Sequence, residues 1–449
     1  MFTFKAQKFN THSTLDPMAF RKTFLLFWLI SFAIIQSNAQ TNSQQKSPFL
    51  TTGNPESVGM SSERLDRVDA MLQEAVADNT IPGAVALIVR NGKIVFHQAY
   101  GQANAEGKEL RKDAIFRIAS QSKAITSTAV MMLWEEGKFQ LDDPISKYIP
   151  EFKNPEVLVN FRYADTTYTT RPAEREITIR HLLTHTSGLG YGVIDGDERM
   201  KMIYHKAGTT DLFTAEDVKI KDVVLKLARL PLHHDPGEKY TYSLGLDVLG
   251  YFVEIMSGMT FEAFLQQRLF EPLDMQDTGF YLPGSKADRL VSIQHKVDGQ
   301  WKNYPNTFYD VDYPLKGAKT FFSGGAGLSS TAEDYATFLQ MYLNGGELNG
   351  KRFLSRTTIA TLMADQTGDL YGGADQHYGL AFGVLTQRGQ AKGGLGSPGT
   401  FVWGGYFNTQ YFADPQEQII GIIMKQTQGG TGDQTAWKFK QMVGAAVDD

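Results

Sequence analysis

The stretch Ile118-Ala119-Ser120-Gln121-Ser122-Lys123 stands directly before a long apolar run at residues 124–134. Its Ser120 and Lys123 are three residues apart, and residues at that spacing lie on the same face of a helix. The helix dipole and desolvation both disfavour a positive charge near a buried helix N-terminus, so the amine can approach neutrality. Because a neutral amine can accept the serine proton, the pattern predicts Ser120 as a nucleophile activated by Lys123.

The sequence around this pair distinguishes it from a second Ser-x-x-Lys match. Ser43 and Lys46 have the same spacing but lie in a polar segment, so we interpret that match as accidental. The run after Ser120 is apolar on nearly every side, which is typical of a buried helix. Gly137 follows the run as a natural C-terminal stop.

The composition indicates a large hydrophobic core and excludes several classes of protein. The chain has 449 residues, of which 42% are hydrophobic, and a net charge of −5. That length is enough for one large domain or two interlocked ones, and the lack of basic clusters argues against nucleic acid as a partner. There are no cysteines, which excludes disulfides, a thiol nucleophile, thiolate zinc sites and lipid attachment through cysteine.

Residues 1–39 are predicted to be a signal peptide. Arg21-Lys22 forms the positive start, residues 23–35 form the apolar stretch, and Ser37-Asn38-Ala39 is a small-residue cleavage site. Met18 is an alternative start of the chain. The apolar stretch is short for a membrane span. We therefore expect an exported, periplasmic or secreted bacterial protein with no stable membrane span after cleavage.

Residues 57–446 are predicted to form one domain of the α/β (α+β) class, after a flexible linker at residues 40–56. Asn91-Gly92 between two apolar stretches is a strong hairpin signal. Candidate strands lie at both ends of the domain, at residues 83–90, 93–100, 377–385, 400–406, 409–413 and 419–425. This distribution indicates an antiparallel sheet built from N- and C-terminal segments and flanked by helices. Residues 151–235 are expected to be mainly helical, within an inserted helical subdomain at approximately 135–330.

A serine nucleophile also requires a second proton carrier and an oxyanion site. The Gly-x-Ser-x-Gly elbow is absent, since no serine has glycine at both −2 and +2. The sequence has nine histidines and does not exclude a Ser-His-Asp triad that includes one of them. Tyr242 follows the Pro236-Gly237 turn and lies just before an amphipathic helix. A cation near a phenol lowers its pKa, so Tyr242 beside Lys123 is the second candidate for proton transfer.

Two groups of histidines are considered as metal ligands. His181 and His185 are four residues apart, but they lack the glutamate and cysteine partners of zinc motifs, so packing or capping of a turn is favoured. His233-His234-Asp235 precedes the Pro236-Gly237 turn and is interpreted as a loop. We therefore predict no metal site and no cofactor.

From about Ser57 onwards the chain resembles the serine β-lactamase/penicillin-binding-protein-like superfamily, which includes class C β-lactamases, D-alanyl-D-alanine peptidases and family VIII carboxylesterases. The resemblance implies a β-lactamase/transpeptidase-like fold. The motifs that match occur in family order and spread over most of the chain: Ile81-Pro82-Gly83-Ala84, residues 116–123, Leu141-Asp142-Asp143-Pro144, residues 177–189, Pro236-Gly237, Tyr242-Ser243 and Glu271-Pro272-Leu273-Asp274-Met275.

The resemblance also implies a role for individual residues. Ser120 matches the acylated nucleophile, Lys123 its activating partner, and Tyr242 the tyrosine that shuttles protons. Trp403-Gly404-Gly405 aligns with the Lys-Thr-Gly element of the family's substrate-binding strand. The oxyanion hole would then consist of the backbone N–H groups of Ser120 and Tyr406. Which of Lys123 and Tyr242 takes the serine proton stays open.

Two departures from the lactamase pattern favour esters. Class C enzymes have an asparagine two residues after the tyrosine, where it binds the substrate amide, and this position is Leu244 here. The lysine of Lys-Thr-Gly, which helps to hold the lactam carboxylate, is Trp403. An aromatic ring can instead cover an apolar acyl or alcohol group. We therefore expect Leu244, Trp403, Gly404 and Gly405 to contact substrate, as in family VIII carboxylesterases and related acyltransferases.

The sequence thus predicts an exported serine hydrolase that cleaves carboxylic esters through an acyl-serine intermediate, with transesterification as a related activity. One alternative is a β-lactamase or a D-alanyl-D-alanine carboxypeptidase or D-aminopeptidase. A second is a non-catalytic, penicillin-binding-like ligand binder. In each case the expected partner is a small-molecule ester, amide or β-lactam. The motifs do not specify the acyl chain, the alcohol or the oligomeric state.

Overall fold

The computed structural model of the protein describes residues 48–429 and 432–449. The predicted signal peptide, the first part of the predicted linker and the Ser43–Lys46 match lie outside these residues. The strands within them are β1 (Thr51–Thr52), β2 (Gly83–Arg90), β3 (Lys93–Gly101), β4 (Phe116–Arg117), β5 (Glu156–Arg162), β6 (Thr167–Pro172), β7 (Gln294–Val297), β8 (Gln300–Asn303), β9 (Ser329–Ser330), β10 (Glu347–Leu348), β11 (Lys351–Arg352), β12 (Gln376–Tyr378), β13 (Gly383–Leu385), β14 (Phe401–Gly404), β15 (Thr409–Asp414), β16 (Ile419–Met424) and β17 (Thr427–Gln428).

Most of the helices lie between the β2–β3 hairpin and the C-terminal strands. Their bounds are α1 (Ser62–Ala77), α2 (Ser122–Glu135), α3 (Ile179–Leu183), α4 (Glu198–Lys206), α5 (Ile220–Leu227), α6 (Gly245–Ser257), α7 (Phe261–Leu265), α8 (Glu271–Leu273), α9 (Tyr313–Lys316), α10 (Ala332–Leu343), α11 (Arg356–Met363), α12 (Gln387–Ala391) and α13 (Thr435–Ala445). Within the described ranges, no single helix is long and apolar enough to cross a membrane; the bent pair at residues 245–257 and 261–273, with an angle of 76°, reaches that length and composition together.

An eight-stranded sheet forms the centre of the fold, in the order β1-β3-β2-β16-β15-β14-β13-β12. Its neighbours pair antiparallel, except that β1 runs parallel to β3. The pairing of β2 with β16 joins the N-terminal hairpin to the C-terminal strands, for example Val85 to Met424. The expected mixed α/β architecture, with one sheet built from both ends of the chain, is confirmed.

The β2–β3 hairpin forms where the sequence predicts it. Asn91 and Gly92 have φ values of +50° and +74°, the left-handed backbone that a two-residue type I′ turn requires at both positions. Asparagine and glycine adopt this conformation at low cost, and the turn's twist matches that of the two strands. The local signal therefore sets the register of the first two long strands.

The prediction of a flexible linker at residues 40–56 is wrong for its last part. Thr51 and Thr52 form strand β1 beside Lys93 and Ile94 of β3, and the Gly53 N–H donates to the Ile94 carbonyl at 3.0 Å. Both β1 side chains are exposed, so the strand has no apolar alternation that a sequence reading could detect. The ordered domain therefore begins earlier than predicted.

The expectation of mainly helical structure over residues 151–235 also needs correction. Strands β5 and β6 form an antiparallel hairpin there, before α3, α4 and α5. Most β5 and β6 side chains are exposed, so polar residues replace the alternation on which strand prediction depends. The predicted subdomain at approximately 135–330 also contains α6 and the loop before it, and both lie beside the start of α2.

Buried side chains lie on both faces of the sheet. On one face, α1 and α13 pack over the sheet through apolar residues such as Leu65, Val68 and Phe439. On the other face lies a larger core that contains almost the whole of α2, together with α6 and α10. The predicted burial of the helix that follows Ser120 is confirmed, since α2 is buried from Ser122 to Leu133.

Candidate active site

Ser120 lies in a tight turn immediately before α2. A 3₁₀ turn spans Ala119–Gln121, and α2 starts at Ser122. Ala119 has φ of +44° and is fully buried, a backbone conformation that a residue with a Cβ rarely adopts. Strand β4 pairs with β9 just upstream, and the Ile118 N–H donates to the Leu328 carbonyl at 3.0 Å. These contacts hold the strained turn and fix the position of the Ser120 hydroxyl.

Lys123 lies beside this hydroxyl, one helical turn further on. Its Nζ is 3.2 Å from Ser120 Oγ and 2.7 Å from the Gly325 carbonyl oxygen. The side chain is only 1% exposed. Within the described residues, no carboxylate forms an ion pair with this amine, and no other hydrogen bond reaches Ser120 Oγ. The structure thus brings together the two residues that the i, i+3 spacing pairs.

Two tyrosine rings surround the same amine. Nζ of Lys123 is 4.6 Å from the ring centre of Tyr242 and 5.6 Å from that of Tyr191. These distances place the amine over the rings in cation–π geometry. Tyr242 is half-buried just before α6. Ser120, Lys123 and Tyr242 therefore form one cluster, as expected from their pattern.

The His185 imidazole packs against the Tyr242 ring. The two ring centres are 4.6 Å apart, and His185 Nδ1 accepts a hydrogen bond from the Ser243 N–H at 3.2 Å. Complete burial, with the Lys123 charge as a second cause, holds the pKa of His185 well below its usual range, so the imidazole is neutral. Among the described residues, no histidine forms a hydrogen bond with Ser120, so the triad left open by the sequence has no geometric support.

The end of strand β14 packs directly against the Ser120 turn. The Gly405 N–H donates to the Thr409 carbonyl at 2.7 Å. A Cβ on Gly405 would lie 2.4 Å from the Ile118 carbonyl oxygen, so only glycine allows this approach. The N–H groups of Ser120 and Tyr406 donate no hydrogen bond to any described residue, which leaves both available to a substrate oxygen.

Trp403 lines the same cleft within a cluster of aromatic residues. Its ring centre is 5.9 Å from that of Tyr242, 5.3 Å from Tyr378 and 6.4 Å from Tyr371. Tyr371 in turn contacts Tyr240 at 4.9 Å. Trp403 is half-buried, so part of its side chain is accessible to solvent. The wall offers apolar surface where the lactamase pattern has a lysine.

The prediction that Leu244 contacts substrate does not agree with the structure. Its side chain is 1% exposed and packs in the main core, while its N–H donates to the Gly190 carbonyl at 3.1 Å. Leu244 is the residue immediately before α6, and the backbone there directs its side chain into the core. Leu244 therefore does not line the cleft, and position 244 contributes no polar side chain to it.

The histidines considered as metal ligands have structural roles. His181 accepts a hydrogen bond from the Thr178 N–H at 3.2 Å and caps α3, and burial lowers its pKa to about 4. His233 Nε2 lies 3.0 Å from a carboxylate oxygen of Asp195. In the part of the chain that the structure describes, His, Asp and Glu side chains form no group of three that could hold a metal ion.

Three residues of the site are missing from the sequence-based set. Tyr191 stands between Gly190 and Gly192, and such a glycine-flanked aromatic residue after a family motif is a signal that could have identified it. Gly325 and Asp247 gave no such signal. Gly325 binds Lys123 through its carbonyl oxygen, and the buried Asp247 approaches Gly325 so closely that a Cβ there would lie 2.4 Å from its carboxylate.

The fold and the Ser120–Lys123–Tyr242 cluster define a serine hydrolase with a β-lactamase fold. A model of the β-lactamase family matches residues 68–444, and the chain belongs to this family. It is 33% identical over 382 residues to Esterase EstB of Burkholderia gladioli, covering 80% of this chain and 90% of that protein. It is also 27% identical over 406 residues to a putative D-alanyl-D-alanine carboxypeptidase of Escherichia coli K12, covering 85% and 86% of the two chains.

A solved structure agrees with this assignment. EstCE1, described as a hydrolase with promiscuous acyltransferase activity, superposes with a TM-score of 0.72 at 27% identity, covering 85% of this chain and 98% of that one. The predicted membership of the superfamily, with a relationship to family VIII esterases, is therefore confirmed.

Proposed function

We propose that this protein is an exported carboxylesterase that works through an acyl-serine intermediate on Ser120. The observation that carries the proposal is the 3.2 Å contact between Lys123 Nζ and Ser120 Oγ, with the Tyr242 ring 4.6 Å from the same amine. Nucleophile, cation and phenol in one partly open cleft are the groups that acyl transfer to serine requires. Similarity to Esterase EstB and to EstCE1 supports a substrate of the ester class.

Each step follows from the position of these groups. Ser120 Oγ attacks the ester carbonyl carbon, and its proton passes to Tyr242 or Lys123. The N–H groups of Ser120 and Tyr406 stabilise the negative charge that develops on the carbonyl oxygen. The ester C–O bond breaks as Tyr242 protonates the departing alcohol. Water, or an acceptor alcohol, then attacks the acyl-enzyme while Tyr242 takes its proton. The bond between the acyl carbon and Ser120 Oγ breaks, and Tyr242 returns the proton to Ser120 Oγ.

The proposed substrates are neutral esters with an apolar group beside the reacting carbonyl. Trp403 and the aromatic side chains next to it present apolar surface to the cleft, and Leu244 supplies no amide to bind a peptide-like substrate. A site that lacks a hydrogen-bonding partner discriminates strongly against substrates that need one. Gly405 allows the end of the strand to lie against the Ser120 turn, since a Cβ there would lie 2.4 Å from the Ile118 carbonyl oxygen.

We also propose the domain assignment that goes with this function. Residues 1–39 would direct export, and residues 57–446 would form the hydrolase domain, with the subdomain at approximately 135–330 forming one wall of the cleft. N-terminal sequencing of protein recovered from outside the cytoplasm tests the first part. A mature chain that starts at Gln40 agrees with the proposal, whereas a chain that keeps residues 21–39 contradicts it.

The central test is covalent labelling by a fluorophosphonate. Wild-type protein should be labelled stoichiometrically at Ser120, and Ser120→Ala should not be labelled. Ser127→Ala is the matched control, since Ser127 lies on the same helix but is buried away from the cleft. Labelling of Ser120→Ala equal to that of the wild type would contradict the scheme.

Turnover of p-nitrophenyl butyrate compared with nitrocefin then tests the substrate class. We expect efficient ester hydrolysis and little lactam hydrolysis. Faster turnover of nitrocefin, or of a D-alanyl-D-alanine peptide, would favour the peptidase-like alternative that the E. coli relative's name suggests. Stoichiometric labelling followed by no turnover of any substrate would favour a ligand binder.

A further inference from the structure

Asp247 is a buried carboxyl group near the reactive cluster that the proposed mechanism does not use. It lies on the first turn of α6, five residues after Tyr242, and its side chain is 1% exposed. Burial raises its pKa, while the Lys123 charge and a hydrogen bond from Ser323 oppose that rise. A buried carboxyl group is costly unless it interacts with a positive charge or with hydrogen-bond donors, so its position beside Lys123 requires an explanation.

A continuous hydrogen-bond chain connects this carboxylate to the Lys123 amine. The Ser323 hydroxyl donates to Asp247 Oδ1 at 2.5 Å. Ser323 Oγ accepts the Ala326 N–H at 3.1 Å. The carbonyl group of the same peptide unit, that of Gly325, accepts a hydrogen bond from Lys123 Nζ at 2.7 Å. The chain therefore runs from carboxylate to hydroxyl to peptide to amine, and all its members are buried.

The direction of each hydrogen bond gives this chain an electrostatic consequence. A negative Asp247 makes the Ser323 oxygen a stronger acceptor, which polarises the Gly325–Ala326 peptide and makes its carbonyl oxygen more negative. That oxygen then stabilises a positive charge on Lys123. The low dielectric of the site strengthens the interaction, although the two charged groups make no direct ion pair.

We propose that Asp247 is a positioning residue that holds Lys123 as an ammonium ion through Ser323 and the Gly325–Ala326 peptide. Lys123 then acts as a fixed positive charge 4.6 Å from the ring centre of Tyr242. This inference rests on the proposed function, since it concerns the charge of a residue that the proposal places in the active site.

Few other charged or titratable groups lie around Asp247 and Lys123. Tyr191 faces Asp247 from the loop after α3 and Asp211 from the loop after α4, and both interact electrostatically with Asp247. His185 faces Lys123 and is neutral. Gly325 leaves no space for a side chain between the carboxylate and the backbone, since a Cβ there would lie 2.4 Å from Asp247 Oδ2. Asp247 is therefore the group that the relay links to Lys123.

The test is the pH profile of kcat/KM for Asp247→Asn, which keeps the shape of the side chain and removes its charge. Loss of the negative charge should remove stabilisation from the ammonium form of Lys123, so the alkaline limb should move to lower pH by about one unit. Ser323→Ala breaks the chain in the middle and should move the same limb in the same direction by less. Glu254→Gln is the matched control, because it removes a carboxylate from the same helix whose oxygen accepts the Phe261 N–H instead.

The outcomes separate this inference from the proposed function. An alkaline limb in folded Asp247→Asn that coincides with that of the wild type would overturn the inference, even if fluorophosphonate still labels Ser120. A shift of the acid limb alone would also overturn it, since Lys123 would then work without its proton. Circular dichroism and thermal melting identify the folded variants, and if Asp247→Asn does not fold, the Ser323→Ala profile decides. Labelling of Ser120→Ala would instead contradict the proposed function.

Discussion

A single methyl group at Gly405 tests the proposed oxyanion site. The Cβ of Gly405→Ala would lie 2.4 Å from the Ile118 carbonyl oxygen and 2.3 Å from Thr409 Oγ1. Ordinary van der Waals contact begins at 3.4 Å, so the end of β14 must move by about 1 Å, a displacement that can cost an enzyme about 100-fold in rate. Because the Tyr406 N–H follows directly, this movement takes it away from the oxygen that it is proposed to bind.

The expected loss can be compared with measured oxyanion sites. Removal of one donor typically lowers kcat by about 10²–10³-fold, equivalent to about 2.7–4 kcal/mol of transition-state stabilisation. We therefore expect Gly405→Ala to lower kcat for p-nitrophenyl butyrate by at least about 100-fold, with a smaller change in KM. Steady-state kinetics on the folded variant provide the measurement, with melting temperature recorded alongside because overpacking also destabilises.

Gly444→Ala is the matched control for this experiment. Gly444 lies in α13, away from the cleft, and a Cβ there meets nothing within 4 Å. Alanine in place of glycine inside a helix should leave kcat unchanged and stabilise the fold slightly. If folded Gly405→Ala keeps the wild-type kcat, the Tyr406 N–H is not an oxyanion donor and the proposed geometry is incorrect.

Three further substitutions test other parts of the site. Tyr242→Phe keeps the ring packed on His185 and removes the proton carrier, so kcat should fall by about 10²–10⁴-fold with little change in melting temperature; an unchanged kcat would exclude Tyr242 from proton transfer. Trp403→Ala should reduce the preference for butyrate over acetate esters by up to about 10-fold, because two methylene groups lose their apolar contact; an unchanged ratio of kcat/KM values would exclude Trp403 from the acyl site. Burial raises the pKa of Asp211 to about 6, above that of an unfolded aspartate, so the native state retains a proton that the unfolded chain has lost and the free energy of unfolding falls as pH rises from about 4 to about 6. Asp211→Asn should flatten this dependence in urea unfolding at several pH values, and parallel curves for the two proteins would show that Asp211 does not cause it.

The parts of the fold that could be predicted are those encoded by neighbouring residues. Asn91-Gly92 determines its turn through backbone preferences, and Ser120 and Lys123 come together because one helical turn separates them. The apolar run after Lys123 likewise indicates a buried helix without any tertiary information. Each of these features depends on a few consecutive residues, so it can be predicted without knowledge of tertiary contacts.

The features that could not be predicted depend on polar or distant contacts. The β5–β6 hairpin and strand β1 are mostly exposed, so their residues carry no alternation of apolar and polar side chains. The contact between Asp247 and Lys123 passes through Ser323 and Gly325, which are about two hundred residues away from Lys123 along the chain. Leu244 was expected in the cleft because its position follows Tyr242, but the backbone before α6 turns its side chain into the core.

The order of strands in the central sheet has a consequence for the synthesis of this protein. Strand β2 near residue 85 must wait for β16 near residue 424 before it has its second neighbour, and such distant pairing is slow to form. Ser120, the proposed nucleophile, leaves the ribosome long before Trp403, Gly405 and Tyr406 do. A partly made chain therefore carries Ser120 without the strand that is proposed to complete its oxyanion site. Reactivity toward esters should accordingly arise only when the C-terminal strands have been added, so that premature chain termination yields protein without this activity.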